Sequence, residues 1–215
     1  MIGFFGGTFD PVHLGHLHAA RTVARTLDCR EMRLVLAARP AHRDSPIASV
    51  DDRWAMLTLA LAGDPICVAD DREMRRAAPS YTVDTLEDVR AEVGARMSLV
   101  WCIGSDQLRE LTSWHRPERL LELAHLAVLE RPTDAPKRAL PADVSALVAH
   151  RLTQDPARLR DGVGRILLCT APMLAISASA VRRAIVNGDP TGELLPPEVS
   201  TYIRRHRLYG GSGYP

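Results

Sequence analysis

Ile2-Gly3-Phe4-Phe5-Gly6-Gly7-Thr8-Phe9-Asp10-Pro11-Val12-His13-Leu14-Gly15-His16 opens the chain, and its reading decides how everything after it is read. Residues 2–5 are an apolar run of strand length. A glycine turn follows, and then Leu14, Leu17, Ala20, Ala24 and Leu27 recur at helical spacing. Strand, glycine turn and helix in that order begin an α/β unit. In an open sheet of this kind ligands bind beyond the carboxyl ends of the strands, where the turn must lie. Gly6 and Gly7 are expected to let the backbone approach a ligand closely. Exposed amides and the helix N-terminus favour an anion there, and Thr8 adds a hydroxyl. His13 and His16 are three apart, so both imidazoles fall on one side of the first helical turn. Gly15 is expected to leave room for a phosphate or a base between them. Two imidazoles beside a phosphate-sized anion point to phosphoryl or nucleotidyl chemistry. The pair also reads as a metal site or as incidental histidines at a helix start. For a metal, a third ligand at regular spacing and a cysteine pair are absent from the sequence. His18 breaks the spacing and reads as a surface histidine.

Outward from this unit, short apolar runs alternate with helical patterns. Strands are expected at 33–37, 66–69, 98–103, 125–129 and 165–169, and helices over 50–62, 83–93, 144–152, 178–187 and 197–206. Strands separated by helices imply parallel pairing with right-handed crossovers. The expected fold is α/β, Rossmann-like and doubly wound: a mostly parallel sheet, helices on both faces and a small C-terminal helical part. Residues 1–215 read as one domain. The Pro-, Asp- and Arg-rich stretch 132–161 reads as a variable loop, lid or insertion, and 210–215 as a disordered tail.

Composition narrows the function. The 215 residues carry 27 basic and 26 acidic side chains, a net charge of +1, which excludes a strongly basic nucleic-acid binder. The arginine pairs Arg75-Arg76, Arg182-Arg183 and Arg204-Arg205 are separated, and aromatics are only 5%, so no basic, aromatic-rich face is evident. Lys137 is the single lysine, and no G-x-x-x-x-G-K precedes it, so a P-loop enzyme is excluded. Cys29, Cys67, Cys102 and Cys169 are scattered and read as reduced thiols. No basic leader and no apolar run of about 20 residues occurs, so a cytoplasmic chain without a membrane partner is expected.

Three further stretches hold polar residues where such a sheet would place a site. Ser177 or Ser179 is a plausible N-cap for the helix over 178–187, with Arg182 a turn in and able to reach an anion. Ser80 or Thr82 could cap the helix over 83–93. Gly104-Ser105-Asp106 follows a strand end, where a carboxylate suits ribose hydroxyls. Trp54 and Trp101 sit in apolar patterns and read as core. Trp114 is flanked by polar residues and reads as a surface anchor or a stacking platform.

Residues 6–16 resemble the H-x-G-H signature of the nucleotidylyltransferase superfamily, in the version of bacterial nicotinate mononucleotide adenylyltransferases. Ile176-Ser177-Ala178-Ser179-Ala180-Val181-Arg182 is similar to that family's I-S-x-[ST]-x-x-R, and Ser80-Tyr81-Thr82-Val83-Asp84-Thr85-Leu86 to its S-Y-T-x-x-T-L. Gly104-Ser105-Asp106 matches its G-x-D, and Ser113-Trp114-His115 its T-W-[YH] with serine for threonine. The likeness runs from Gly6 to about Tyr209, includes 73–86 and is weak over 133–160. One departure lies after the second strand, where the family often shows P-N-N-x-P-P-H-[KR]. Here Ala37 and Ala38 replace both asparagines, while His42 and Arg43 remain.

The resemblance implies transfer of AMP from ATP to nicotinate mononucleotide, yielding nicotinate adenine dinucleotide and pyrophosphate for NAD biosynthesis. It implies catalytic roles for His13 and His16, with His16 at the α-phosphate. ATP would meet Gly6, Gly7, Thr8, Phe9, His13, His16, Gly104, Asp106, Ser177, Ser179 and Arg182. Nicotinate mononucleotide would meet Tyr81, Thr82, Trp114, His115 and Arg131, with His42 and Arg43 as further phosphate contacts. Donors near Thr82 and His115 would select nicotinate over nicotinamide. Mg²⁺ would be held by ATP phosphates and water, with no protein ligand. A monomer or weak homo-oligomer without nucleic-acid partners is expected. Two alternatives stay open on the same signature: another adenylyl- or cytidylyltransferase, such as the pantetheine-phosphate enzyme, and a non-catalytic nucleotide sensor.

Overall fold

The computed structural model describes residues 1–40, 45–130, 139–169 and 173–210. Its strands are β1 (Ile2–Gly7), β2 (Glu31–Leu36), β3 (Cys67–Asp70), β4 (Leu99–Gly104), β5 (His125–Leu129), β6 (Leu152–Thr153) and β7 (Ile166–Cys169). Its helices are α1 (Leu14–Thr26), α2 (Val50–Ala60), α3 (Thr82–Val93), α4 (Ser105–Arg109), α5 (Pro117–Leu123), α6 (Ala142–Val148), α7 (Ala178–Asn187) and α8 (Pro197–His206). The sheet runs β3-β2-β1-β4-β5-β7-β6, and every neighbouring pair is parallel.

The chain starts in the middle of this sheet, winds outward through β2 and β3, and returns to β4 on the other side of β1. The order therefore reverses between β1 and β4, and crossover loops diverge there to leave a crevice at the carboxyl ends. Gly7 and Gly104 end those two strands, so the loop from Thr8 into α1 and the start of α4 at Ser105–Asp106 flank one opening.

Period-two alternation explains why helices cover both faces. Leu34, Leu36, Val100, Cys102 and Ala127 join one core with α1, α2, α7 and α8. Phe4, Val35, Trp101, Ile103 and Val128 join the other with α3, α5 and α6. Trp101 is buried and stacks on Phe4 at 6.0 Å, and Trp54 packs against the first core, so both tryptophans are structural as expected. The four cysteines are buried and unpaired. Burial pushes the thiols up, Cys29 and Cys169 to about 11 and Cys67 to about 12, so none supplies a thiolate near neutral pH.

The described part of 132–161 differs from the sequence expectation. α6 ends at Val148 rather than 152: Ala149 leaves the helical region with ψ at 134°, and His150, at a φ of 62°, turns the chain into β6. β6 pairs with β7, and Val144, Val148 and Leu159 are buried. A two-residue strand is too short to leave a periodic signal. No helix among the described residues is long and apolar enough to cross a membrane.

Candidate active site

α1 begins at the histidine pair. His13 is the N-cap, and its Nδ1 accepts the His16 N–H at 3.3 Å. His16, three residues on, returns the bond: its Nδ1 accepts the His13 N–H at 3.3 Å. This is a capping box built from two imidazoles instead of serine and glutamate. It draws the rings face to face, with centroids 3.6 Å apart and 21° between planes. With Nδ1 acting as acceptor on both, the neutral rings carry their proton on Nε2. His13 is buried at 4% exposure while His16 is half-buried, so His16 is the more accessible of the two donors.

Several expected roles change at this point. The stacked rings leave no room for a phosphate or base between them. A Cβ on Gly15 would stand 3.0 Å from His13 Nδ1 and 3.2 Å from Ile176 Cβ, so Gly15 makes space for the ring stack and for the loop before α7. A Cβ on Gly6 would lie 2.5 Å from Trp101, and one on Gly7 would lie 2.8 Å from Phe9. Packing alone therefore excludes a side chain at both positions, while their backbone stays at the carboxyl end of β1. The Phe9 side chain is buried and meets His16 edge-on at 5.0 Å, so it braces the His16 ring and only its backbone is left for a ligand. Phe9 also holds φ at 49°, a left-handed backbone in a site loop.

Asp10 gathers three other parts of the chain around the loop. Its carboxylate accepts from the Ile47 N–H at 2.8 Å, the Ala48 N–H at 3.1 Å and the Tyr209 hydroxyl at 2.7 Å. Arg182 Nη1 donates to the Asp10 carbonyl at 2.7 Å and lies 3.9 Å from its carboxylate. Burial and the Asp10 carboxylate raise the Tyr209 phenol, keeping it a donor. Arg182, expected from sequence to reach an anion at the start of α7, joins that start to the loop through Asp10. Ser177 rather than Ser179 is the N-cap: its Oγ accepts the Ala180 N–H at 3.2 Å, and the two serine hydroxyls lie 3.1 Å apart. The Leu14 N–H donates to the Leu194 carbonyl at 2.9 Å and ties α1 to the α7–α8 loop.

On the other side of the opening, Tyr81 is the N-cap of α3 and makes no side-chain cap, and Thr82 is the first helical residue. Neither Ser80 nor Thr82 caps the helix. Ser80 Oγ accepts the Arg39 N–H at 3.2 Å, and the Ser80 N–H donates to the Arg39 carbonyl at 2.9 Å, which joins this segment to the loop after β2. Below it Glu73 is buried and accepts from the Thr85 hydroxyl at 2.6 Å; burial raises its carboxyl. The aromatic contact on this wall is Tyr81 stacked on His115 at 4.5 Å, while Trp114 is half-buried against the second core. Asp106 is exposed on the first turn of α4, and a Cβ on Gly104 would collide with its carboxylate. Arg131, His42 and Arg43 lie outside the described residues.

A cytidylyltransferase-like family model matches residues 4–184. A protein of Pseudomonas fluorescens named probable nicotinate-nucleotide adenylyltransferase is 45% identical over 208 residues, covering 97% of this chain and 96% of the relative. One of the same name from Stenotrophomonas maltophilia is 42% identical over 212 residues, covering 96% and 95%. The chain belongs to this adenylyltransferase family. The fold agrees: Plasmodium falciparum nicotinic acid mononucleotide adenylyltransferase complexed with NaAD aligns with a TM-score of 0.73 over 97% of this chain and 96% of that chain, at 18% identity. The same enzyme complexed with APC gives 0.70 with the same coverage.

Within this adenylyltransferase-family chain, sequence reading gave no role to Asp10, Tyr209 or Arg53. Asp10 stood inside the quoted motif, but its partners come from 37 to 199 residues away. Arg53 sits in a helix flanked by Asp51 and Asp52, where an arginine ordinarily reads as surface charge. No local pattern marks either as buried.

Proposed function

We infer that this chain transfers AMP from ATP to nicotinate mononucleotide, forming nicotinate adenine dinucleotide and pyrophosphate in NAD biosynthesis. The observation that carries the reading is the stacked pair His13–His16, held with Nε2–H donors at the sheet opening, in a chain 45% identical to a named nicotinate-nucleotide adenylyltransferase over 97% of its length. That near-complete match, shared by the further relatives of the same name, favours nicotinate mononucleotide over pantetheine phosphate as the acceptor.

The acceptor phosphate is already an anion. Its oxygen attacks the α-phosphorus of ATP, one P–O bond forms, the bond to the β-phosphate breaks, and the electron pair leaves with pyrophosphate. No general base and no covalent enzyme intermediate is needed, so the residues act through alignment and charge stabilisation. His16 Nε2–H donates to the α-phosphate, where charge builds. His13 holds His16 in place and supports the triphosphate, together with Thr8, the backbone of Gly6, Gly7 and Phe9, and the α7 start with Ser177, Ser179 and Arg182. Asp106 and Gly104 take the ribose. On the acceptor side Tyr81, Thr82, Trp114 and His115 form the wall for the pyridine ring and its carboxylate, and Arg131, His42 and Arg43 are assigned to the mononucleotide phosphate. Mg²⁺ accompanying ATP would supply charge neutralisation, with this cradle holding the phosphates and no protein side chain assigned to the ion. The cradle side chains are imidazole, hydroxyl and guanidinium, donors suited to phosphate oxygens rather than to Mg²⁺.

A pyrophosphate-release assay with ATP, Mg²⁺ and nicotinate mononucleotide tests this reading. Turnover is expected with that acceptor and not with phosphopantetheine; no release with any acceptor would leave a nucleotide sensor. Equal kcat/KM for the nicotinate and nicotinamide mononucleotides would refute the assignment of carboxylate selection to Thr82 and His115.

A further inference from the structure

Arg53 on α2 is 1% exposed, and among the described residues no carboxylate stands within ion-pair distance of it. Its guanidinium is instead surrounded by main-chain carbonyls. Nη1 donates to Thr8 O at 2.8 Å and to Ala37 O at 2.9 Å, and Nη2 donates to Ala38 O at 3.2 Å. Nε has no partner. Burial lowers the guanidinium from its ordinary value, though far too little to discharge an arginine near neutral pH.

A buried cation with one orphaned donor is a poor stabiliser, and a packed apolar side chain of similar volume would often serve stability as well or better. What this group supplies is geometry. A guanidinium is a rigid planar fork, and here it pins carbonyls of two separate loops at once. One is the loop after β1, which leads to His13 and His16. The other is the loop after β2, which leads to the acceptor wall. The Ala38–Arg39 peptide is gripped on both edges: Ala38 O by Arg53, and Arg39 N–H by Ser80 Oγ. A continuous series of bonds therefore runs from Thr8 through Arg53 and the 38–39 peptide to Ser80, next to Tyr81 and Thr82. At 37 and 38 it uses backbone carbonyls only, so alanine there serves as well as any other side chain.

We propose that Arg53 is a positioning residue that fixes the separation of the two nucleotide half-sites, by holding the loop after β1 and the loop after β2 in one guanidinium. The proposal rests on the adenylyl-transfer reading above. That reaction needs the acceptor phosphate in line with the α-phosphorus, and a misplacement of about 1 Å can cost about 100-fold in rate. Each nucleotide still finds its own half-site when the link is loosened, so the loss should fall on kcat and not on KM.

The test compares R53K, S80A and the double variant with wild type, measuring kcat per folded molecule, both KM values and the thermal midpoint. R53K keeps the charge and loses the fork. Its kcat is expected to fall about 10- to 100-fold, with KM for ATP and for nicotinate mononucleotide within about threefold of wild type. S80A frees the other edge of the same peptide, with a loss in kcat of about three- to tenfold expected. The double variant should be no slower than R53K alone, since the peptide is already released; such non-additivity marks residues acting on one element. A merely structural Arg53 would lower the thermal midpoint and leave kcat per folded molecule unchanged, and that result would overturn the proposal, as would additive losses in the double variant. If R53K does not fold, S80A decides: an unchanged kcat sinks the link, and a loss confined to kcat supports it. A wild type without turnover sinks the functional reading and this proposal together, whereas an active wild type with unaffected variants sinks only the role of Arg53.

Discussion

At the carboxyl end of the sheet His13 and His16 each accept a backbone N–H on Nδ1; at the amino end His125, the first residue of β5, accepts the Arg165 N–H in the same way at 3.1 Å. All three rings are thereby set as Nε2–H tautomers when neutral. Their surroundings then separate them. His125 is fully buried, its Nε2 makes no well-formed hydrogen bond although the Gly162 backbone lies near, and burial lowers it from 6.5 to about 4. The His13–His16 pair sits where β1 and β4 diverge, with His16 half-buried at the opening. One bonding device thus gives a sealed structural imidazole at one end of the sheet and a donor pair at the other. Strand topology, more than the ring's own hydrogen bond, makes an imidazole available for chemistry.

His16→Ala attacks that contrast most directly. It removes the accessible Nε2–H and one half of the capping box, and kcat is expected to fall about 100- to 1,000-fold, the range for loss of one preorganised donor to a transition-state oxyanion. Steady-state turnover with saturating substrates checks it; near-normal kcat would take His16 out of the chemistry and leave the two ends of the sheet alike.

The amino end should respond to pH instead. Because the folded pKa of His125 is depressed, the unfolded chain binds more protons between about pH 6.5 and 4. Its contribution is present in full above that window and is lost as pH falls through it, about 3 kcal/mol in all. His125→Asn offers an acceptor for the Arg165 N–H and cannot titrate there. Urea unfolding at several pH values should show wild type losing stability more steeply than the variant on acidification, with similar kcat at pH 7.5. Parallel pH curves would mean that His125 titrates normally and that the two ends do not differ in the way described.

Tyr209→Phe probes how the carboxyl end is tied. Asp10 would lose the 2.7 Å phenol bond but keep the amides of Ile47 and Ala48. A loss of about 1.5 kcal/mol in stability is expected, the lower end for a hydrogen bond to a charged group. Denaturant midpoints check it; no change would mean that the C-terminal segment is not holding the Thr8–His16 loop.

The bonds in these experiments also divide what the sequence makes legible from what it hides. His13 and His16 lie within one helical turn, so spacing alone placed their rings together, and the alternation that buries Phe4, Trp101 and Val128 on one face and Val100, Cys102 and Ala127 on the other is likewise local. The strand order, the Asp10–Tyr209 bond and the Arg53 fork join residues far apart, and nothing in their neighbours marks them. Gly6, Gly7 and Gly15 are an intermediate case. A glycine announces that a Cβ will not fit, but only the packed structure says that Trp101, Phe9 and His13 are the neighbours it would meet.

The acceptor wall carries the smallest expected effect, because an aromatic platform is worth less than a charged donor. Trp114 is half-buried against the second core, and Tyr81 already stacks on His115, so a pyridine ring would gain one further face and no fixed hydrogen bond from the indole. Such a contact contributes about 0.5–1.5 kcal/mol. Trp114→Ala should therefore raise KM for nicotinate mononucleotide about three- to tenfold while KM for ATP stays put, which initial rates with each substrate varied in turn would measure. A rise in KM for ATP of equal size would instead mean that the indole supports the whole opening through the core, and the assignment of Trp114 to the acceptor side would have to be abandoned.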